Sequence, residues 1–168
     1  MSALSKLDRG HVTVREMTSD DLDEVLSIEE TSFPTPWTKA MFQEELFVPL
    51  CHDLVAICGE RIVGYISFSI VVDEVHLRNI AVHSDWKRHG IASKMLAEMI
   101  WLSSKRGADK VTLEVRKSNK GAIELYKKLG FVVEGVRPLY YDDTREDALI
   151  LWADFGEISW KWQSRKNR

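Results

Sequence analysis

Apolar and polar positions recur along this chain at two periods, and the switches between them mark its elements. Val12 to Met17 has the period of a short first strand. Leu22, Val25, Leu26 and Glu29 then fall at helical spacing. They predict a helix through Glu30 with Ser19 as N-cap and Asp20 and Asp21 at its positive end. Phe33-Pro34-Thr35-Pro36-Trp37 reads as a rigid loop, because each proline fixes φ and removes a donor. Thr38 is expected to cap a second helix running to about Phe47, which Pro49 ends. His52 to Cys58 and Arg61 to Val72 read as strands joined by a Gly59-Glu60 turn. Asp73-Glu74 makes the next tight connection, and a third strand runs to Val82. In that strand Val75 and Leu77 share one parity and Ile80 and Val82 the other, which predicts a β-bulge near Arg78 or Asn79.

The second half is clearer. Ile91, Met95, Leu96, Met99, Ile100 and Leu102 form the apolar stripe of a helix from Gly90 to Arg106. Val111, Leu113 and Val115 alternate with Thr112, Glu114 and Arg116 in a strand. Ser118 or Asn119 caps a further helix that ends at Gly130, a natural left-handed terminator. Phe131–Val136 and Ala148–Trp152 complete the pattern as an antiparallel pair around an Asp142–Asp147 turn. The order is β, two helices, three meandering strands, α, β, α and two strands, which specifies a mixed α/β sheet with helices on both faces. One domain over 1–154 is expected, with 155–168 as a tail carrying Trp160, Trp162 and several basic residues.

Composition narrows the classes. A chain of 168 residues can bury roughly 70% of its unfolded surface, so it needs neither disulfide nor metal to fold. A net charge of −3 argues against non-specific nucleic-acid binding. The longest apolar run, Ile62 to Val72, is interrupted by Gly64, Ser67 and Ser69 and is too short to cross a membrane. Met1 to His11 is polar, without a signal-peptide core, and Cys51 and Cys58 form no metal-binding spacing; a cytoplasmic protein is expected.

Chemistry concentrates in Asn79 to Ala92, where a strand leads through a basic loop with one glycine into a helix. The unbonded N–H groups and dipole of a helix N-terminus suit a phosphate-bearing ligand. The common nucleotide loops and the nucleophile elbow are missing. What stands there is Lys87-Arg88-His89-Gly90-Ile91-Ala92, which resembles the acetyl-CoA signature Q/R-x-x-G-x-G/A of the GNAT N-acetyltransferase superfamily, with Lys87 in the first position. Further on stand Leu113-Glu114-Val115-Arg116-Lys117-Ser118-Asn119, Leu125-Tyr126, Gly130-Phe131, Arg137, Tyr140-Tyr141 and Glu146-Asp147-Ala148. With Ile28-Glu29, Ser32-Phe33-Pro34 and Pro36-Trp37 they resemble the RimI branch, whose enzymes acetylate the N-terminal alanine of small-subunit ribosomal protein eighteen.

That resemblance, over Val12 to Trp152, implies a twisted, mostly antiparallel sheet of about seven strands and acetyl-CoA as co-substrate, with no metal. It implies Glu114 as general base and Tyr126 as general acid. Backbone groups of Ile80, Ala81 and Val82 would bind the pantetheine and acetyl end. Arg88, His89, Gly90, Ile91, Ala92 and Ser93 would hold the pyrophosphate, and Asn119 would contact the CoA. The implied partner is a ribosomal protein N-terminus, with no nucleic acid or membrane, and the enzyme is expected to be a monomer or weak dimer.

Plainer readings stand beside each assignment. Glu114 points away from Val111, Leu113 and Val115 and would ordinarily be a solvated strand residue. Tyr126 would ordinarily be a core aromatic, and Asn119 a helix cap. The Asp142, Asp143, Glu146, Asp147 cluster reads as a wet turn or as an attractor for a substrate cation, and His76, His83 and His89 as residues without a ligand role. A small-molecule amine, a protein lysine or a non-catalytic acyl-CoA-binding module are the rival functions.

Overall fold

The computed structural model describes residues 11–158; the Trp160/Trp162 segment lies outside the described residues. Seven strands form one sheet in the order β1-β2-β3-β4-β5-β7-β6. They are β1 (Val12–Glu16), β2 (Cys51–Cys58), β3 (Arg61–Val71), β4 (Glu74–Val82), β5 (Lys110–Arg116), β6 (Val132–Arg137) and β7 (Ala148–Asp154). The helices are α1 (Leu22–Ser32), α2 (Lys39–Glu45), α3 (Ile91–Ser104) and α4 (Lys120–Leu129). The expected element order is observed. β4 and β5, joined through α3, are parallel, while β1–β2, β5–β7 and β6–β7 are antiparallel. Backbone packing divides the chain into two units, residues 11–67 with 80–96 and residues 68–79 with 97–158.

The first unit starts its helix one residue earlier than expected. Thr18, not Ser19, is the cap of a 3₁₀ turn, Ser19–Asp21, that leads into α1. Asp21 decides this: its Oδ2 accepts from the Thr18 N–H at 2.8 Å, the reciprocal bond of a capping box. Arg15 then fixes the same carboxylate with two bonds of 2.7 and 2.9 Å. Thr38 caps α2 as expected, accepting from the Met41 N–H. That helix stops at Glu45, and Phe47 beyond it is 86% exposed.

Leu22, Val25 and Ile28 of α1 pack with Phe42 and Tyr65, whose rings meet edge to face at 5.7 Å. Beside them the buried Glu29 carboxylate accepts from the Trp37 N–H at 2.9 Å and from the Tyr65 hydroxyl, so the Pro34–Trp37 loop is anchored to α1. Gly64 has a steric reason. A Cβ there would lie 3.0 Å from the Ala81 carbonyl oxygen and 3.0 Å from Met95 Cε. Met95 can move; the β4 backbone cannot. Gly64→Ala is therefore expected to cost about 1–3 kcal/mol, read as a lowered urea midpoint.

Burial along β4 keeps one parity through Val75, Leu77 and Ala81, while Ile80 and Val82 are only half-buried. A small alanine, Ala81, takes the buried position between these two larger neighbours. The turn before β4 is Val72-Asp73 rather than Asp73-Glu74, with Val72 at φ 56°.

In the second unit Val111, Leu113 and Val115 are buried as the alternation predicts, and β5 pairs with β7 from Lys110↔Asp154 to Arg116↔Ala148. Ile123, Tyr126 and Leu129 give α4 its buried stripe, and Gly130 closes the helix at φ 109°. In β6 the register shifts between Val133 and Gly135. Residues 155–158 are helical, with Phe155 and Ile158 buried and the Phe155 N–H bonded to the Asp109 carbonyl at 2.8 Å.

Candidate active site

Within the second unit, parallel pairing of β4 and β5 sets His76 opposite Thr112. Alternation puts His76, Thr112 and Glu114 on the face away from Val75, Leu77, Val111 and Leu113. The diagonal from His76 to Glu114 is short enough to bridge. His76 Nε2 lies 2.7 Å from Glu114 Oε2, and Arg137 Nε of β6 lies 3.5 Å from Glu114 Oε1. The Glu114 side chain is only 12% exposed against 44% for His76. Glu114 is therefore no solvated strand residue. The hydrogen bond from His76 holds its pKa below the ordinary 4.5, against an opposing effect of burial; the same bond lifts His76 above 6.5.

Tyr126 is placed by the way α4 ends. The Phe131 N–H returns to the Tyr126 carbonyl at 3.0 Å, and the two rings pack at 5.4 Å. Burial, with Tyr141 adding to it, pushes the Tyr126 phenol far above its ordinary value. The group stays protonated. Burial likewise pushes Tyr141 up to about 12.

The segment between β6 and β7 is tied down. Arg116 at the end of β5 lies 4.0 Å over the Tyr141 ring and forks onto Asp143 with bonds of 2.8 and 2.7 Å. Ser118 donates to Glu146 at 2.7 Å, the Lys117 N–H bonds the Asp147 carbonyl, and Asp147 Oδ1 accepts from the Leu139 N–H. Three carboxylates of the acidic cluster thus hold their own loop, Asp143 through an ion pair with Arg116 and Glu146 and Asp147 through neutral donors that leave their charge in place.

In the first unit, β4 ends at Val82 and a 3₁₀ turn, Ser84–Trp86, leads into the basic loop. Arg88 and Gly90 both take left-handed backbone, at φ 63° and 74°. No atom lies within 4 Å of a Cβ placed on Gly90, so the glycine answers to conformation rather than space. The first α3 bond runs from the Lys94 N–H to the Gly90 carbonyl. The N–H groups of Ile91, Ala92 and Ser93 therefore precede the helical ladder, beside exposed Lys87 and Arg88. Left-handed positions alternating ahead of a helix end make an anion-binding concavity, which fits a pyrophosphate. The His89 ring turns back on its loop, with Nδ1 2.7 Å from the Lys87 carbonyl oxygen. Asn119 in the second unit uses Oδ1 to cap α4.

Residues 22–131 match the family model described as the Acetyltransferase (GNAT) family. The chain belongs to the GNAT acetyltransferase family. An Escherichia coli (strain K12) relative named ribosomal protein bS18-alanine N-acetyltransferase is 33% identical over 83% of this chain and 95% of its own length. A Bacillus subtilis (strain 168) relative, given the same name provisionally, is 38% identical over 86% of this chain and 96% of its own. The crystal structure of the ribosomal-protein-S18-alanine N-acetyltransferase from Escherichia coli superposes with a TM-score of 0.79 at 31% identity, covering 86% of this chain and 94% of that one.

This acetyltransferase has a residue that the sequence reading passed over. The sequence assigns His76 no ligand role, and the structure makes it the direct partner of Glu114. The signal was present: a β-α-β crossover implies parallel neighbours, and His76 has the same outward parity on its strand as Glu114 has on β5. The pair also predicts a stability window. Glu114, lowered, contributes fully above 4.5 and loses its contribution as pH falls through its depressed value. His76, raised, contributes fully below 6.5 and loses its contribution as pH rises through its elevated value. The urea midpoint of wild type minus that of Glu114→Gln is therefore expected to be largest between pH 4.5 and 6.5 and smaller at pH 9.

Proposed function

We propose that this acetyltransferase carries the acetyl group of acetyl-CoA to the α-amine of a protein N-terminus, with the N-terminal alanine of ribosomal protein bS18 as substrate. The observation that carries the reading is the sheltered Glu114–His76 pair in a chain that aligns with nearly the whole length of relatives bearing that activity in their names. A peptide α-amine has a pKa of about 7.7–8.0, so roughly a tenth is neutral at pH 7. A lysine ε-amine near 10.4 would cost about 3.4 kcal/mol more to deprotonate. A site built from one carboxylate and one imidazole suits the weaker base.

Ile80, Ala81 and Val82 would receive the pantetheine and acetyl end through their backbone. Arg88 to Ser93 would hold the pyrophosphate, and Asn119 would use its amide nitrogen toward the CoA. Acetyl-CoA supplies a thioester already activated toward amines. Glu114 belongs to the removal of the amine's proton, and Tyr126 offers its hydroxyl proton to the leaving sulfur. Tyr126's raised pKa makes a hydrogen bond, or transfer concerted with C–S cleavage, the mode of that help. The family match takes in parts of both units, which supports reading 1–154 as one acetyltransferase domain. We place it in the cytoplasm as a monomer or weak dimer. Among the described residues no helix is long and apolar enough to cross a membrane.

The test is incubation with acetyl-CoA and a bS18 N-terminal peptide, followed by fragment mass spectrometry. One acetyl group on the N-terminal alanine is expected. Acetylation of free polyamines or lysine side chains with the α-amine untouched would replace the reading with a small-molecule or lysine acetyltransferase. Acetyl-CoA binding with no release of CoA across all of these amines would leave a binding module.

A further inference from the structure

We propose that the group which takes the proton from the substrate amine is the His76 imidazole, through Nδ1, with Glu114 holding its other nitrogen. This rests on the reading of the site as an amine acetyltransferase and changes which atom carries the proton.

Geometry separates the two candidates. Both Glu114 oxygens face nitrogen donors, Oε2 meeting His76 Nε2 at 2.7 Å and Oε1 meeting Arg137 Nε at 3.5 Å, and the carboxylate is sunk to 12% exposure. A proton placed on Glu114 would have to break into that arrangement. His76 is 44% exposed, and among the described residues its Nδ1 has no protein partner. With Nε2–H committed to the carboxylate, the neutral tautomer has its lone pair on Nδ1. The charged groups facing the imidazole are Glu114 from β5, which favours its protonation, and Arg137 from β6, which opposes it.

Basicity agrees. A carboxylate held below 4.5 lies more than about three units under an α-amine near 7.7–8.0, so transfer to it is uphill by roughly a thousandfold or more. An imidazole lifted above 6.5 comes within about 1.5 units of the amine, roughly a thirtyfold gap at most. The step balances simply. The ammonium N–H bond breaks, its electron pair stays on nitrogen, the proton bonds to Nδ1, and the imidazolium later releases it to water. Glu114 remains a carboxylate throughout.

The experiment combines rates with a titration. His76→Gln, which keeps an amide donor for Glu114, is expected to lower kcat by about 10²-fold or more on the alanyl peptide while the acetyl-CoA Kd stays put. Free imidazole should restore part of the rate to His76→Ala and none to Glu114→Gln. NMR of the ring protons, with His76 assigned among the five histidines by its loss in His76→Gln, should show titration above 6.5 in wild type and a fall in Glu114→Gln. Wild-type kcat in His76→Gln, with the acid limb in the carboxylate range, would overturn the proposal. So would a His76 that titrates at or below 6.5 and ignores Glu114→Gln. A wild-type enzyme that leaves the alanyl peptide unmodified refutes the substrate reading instead, and the NMR titration then still decides whether the two residues form the coupled pair.

Discussion

Glu114→Gln is expected to lower kcat/KM for the alanyl peptide by about 10²–10⁴-fold at pH 7 and to leave the acetyl-CoA dissociation constant unchanged. Glutamine has the same length and offers an amide oxygen to His76, so the side chain can keep its place. What it loses is charge. The imidazole then has no carboxylate to raise its basicity, and Arg137 has no carboxylate opposite it. Acetyl-CoA binding should not follow if the pyrophosphate is held, as proposed, by the loop before α3 rather than by Glu114. Initial rates and titration calorimetry on one preparation check both halves. Wild-type kcat/KM would remove Glu114 from the mechanism.

Glu29→Ala carries the largest expected stability effect. Glu29 is 1% exposed, and its carboxylate is the acceptor for the Trp37 N–H and for the hydroxyl of Tyr65, itself fully buried. Truncation takes the acceptor from both donors and leaves a void next to the Phe42–Tyr65 ring pair. The expected loss is about 2–4 kcal/mol, or roughly 5–15 °C in Tm for a domain of this size. Glu29→Gln should lose less, since its one amide oxygen can still serve one donor. A loss under about 1 kcal/mol in Glu29→Ala would show that the contacts are incidental. Helical spacing sets Glu29 on the face of Leu22 and Val25, but its value depends on Tyr65, 36 residues away in the chain.

That contrast explains what the sequence made legible. Periodicity reports a residue's own face, so β5, α3, α4 and the caps at Thr38 and Asn119 were readable from neighbours a few positions away. Gly90 and Gly130 were readable because a left-handed turn leaves its mark in residue type. Contacts between strands obey no local rule. His76 with Glu114, and Arg116 with Asp143, join residues 38 and 27 apart. Each has an ordinary alternative as a surface charge until the register is known. Glu114 and Tyr126 entered through family resemblance, and the structure adds that both are sheltered, Tyr126 as a buried ring and Glu114 as a carboxylate between His76 and Arg137.

The fastening of the β6–β7 loop has one more consequence. Arg116, Lys117 and Ser118 hold it at Asp143, Asp147 and Glu146, so Tyr140 and Tyr141 are set before any peptide arrives. Ordering a side chain on contact costs about 0.5–1.5 kcal/mol each time it must happen during association. Here that ordering belongs to folding. The two rings keep their edge-to-face contact at 5.1 Å through bonds made within the fold, so no ligand is needed to order them.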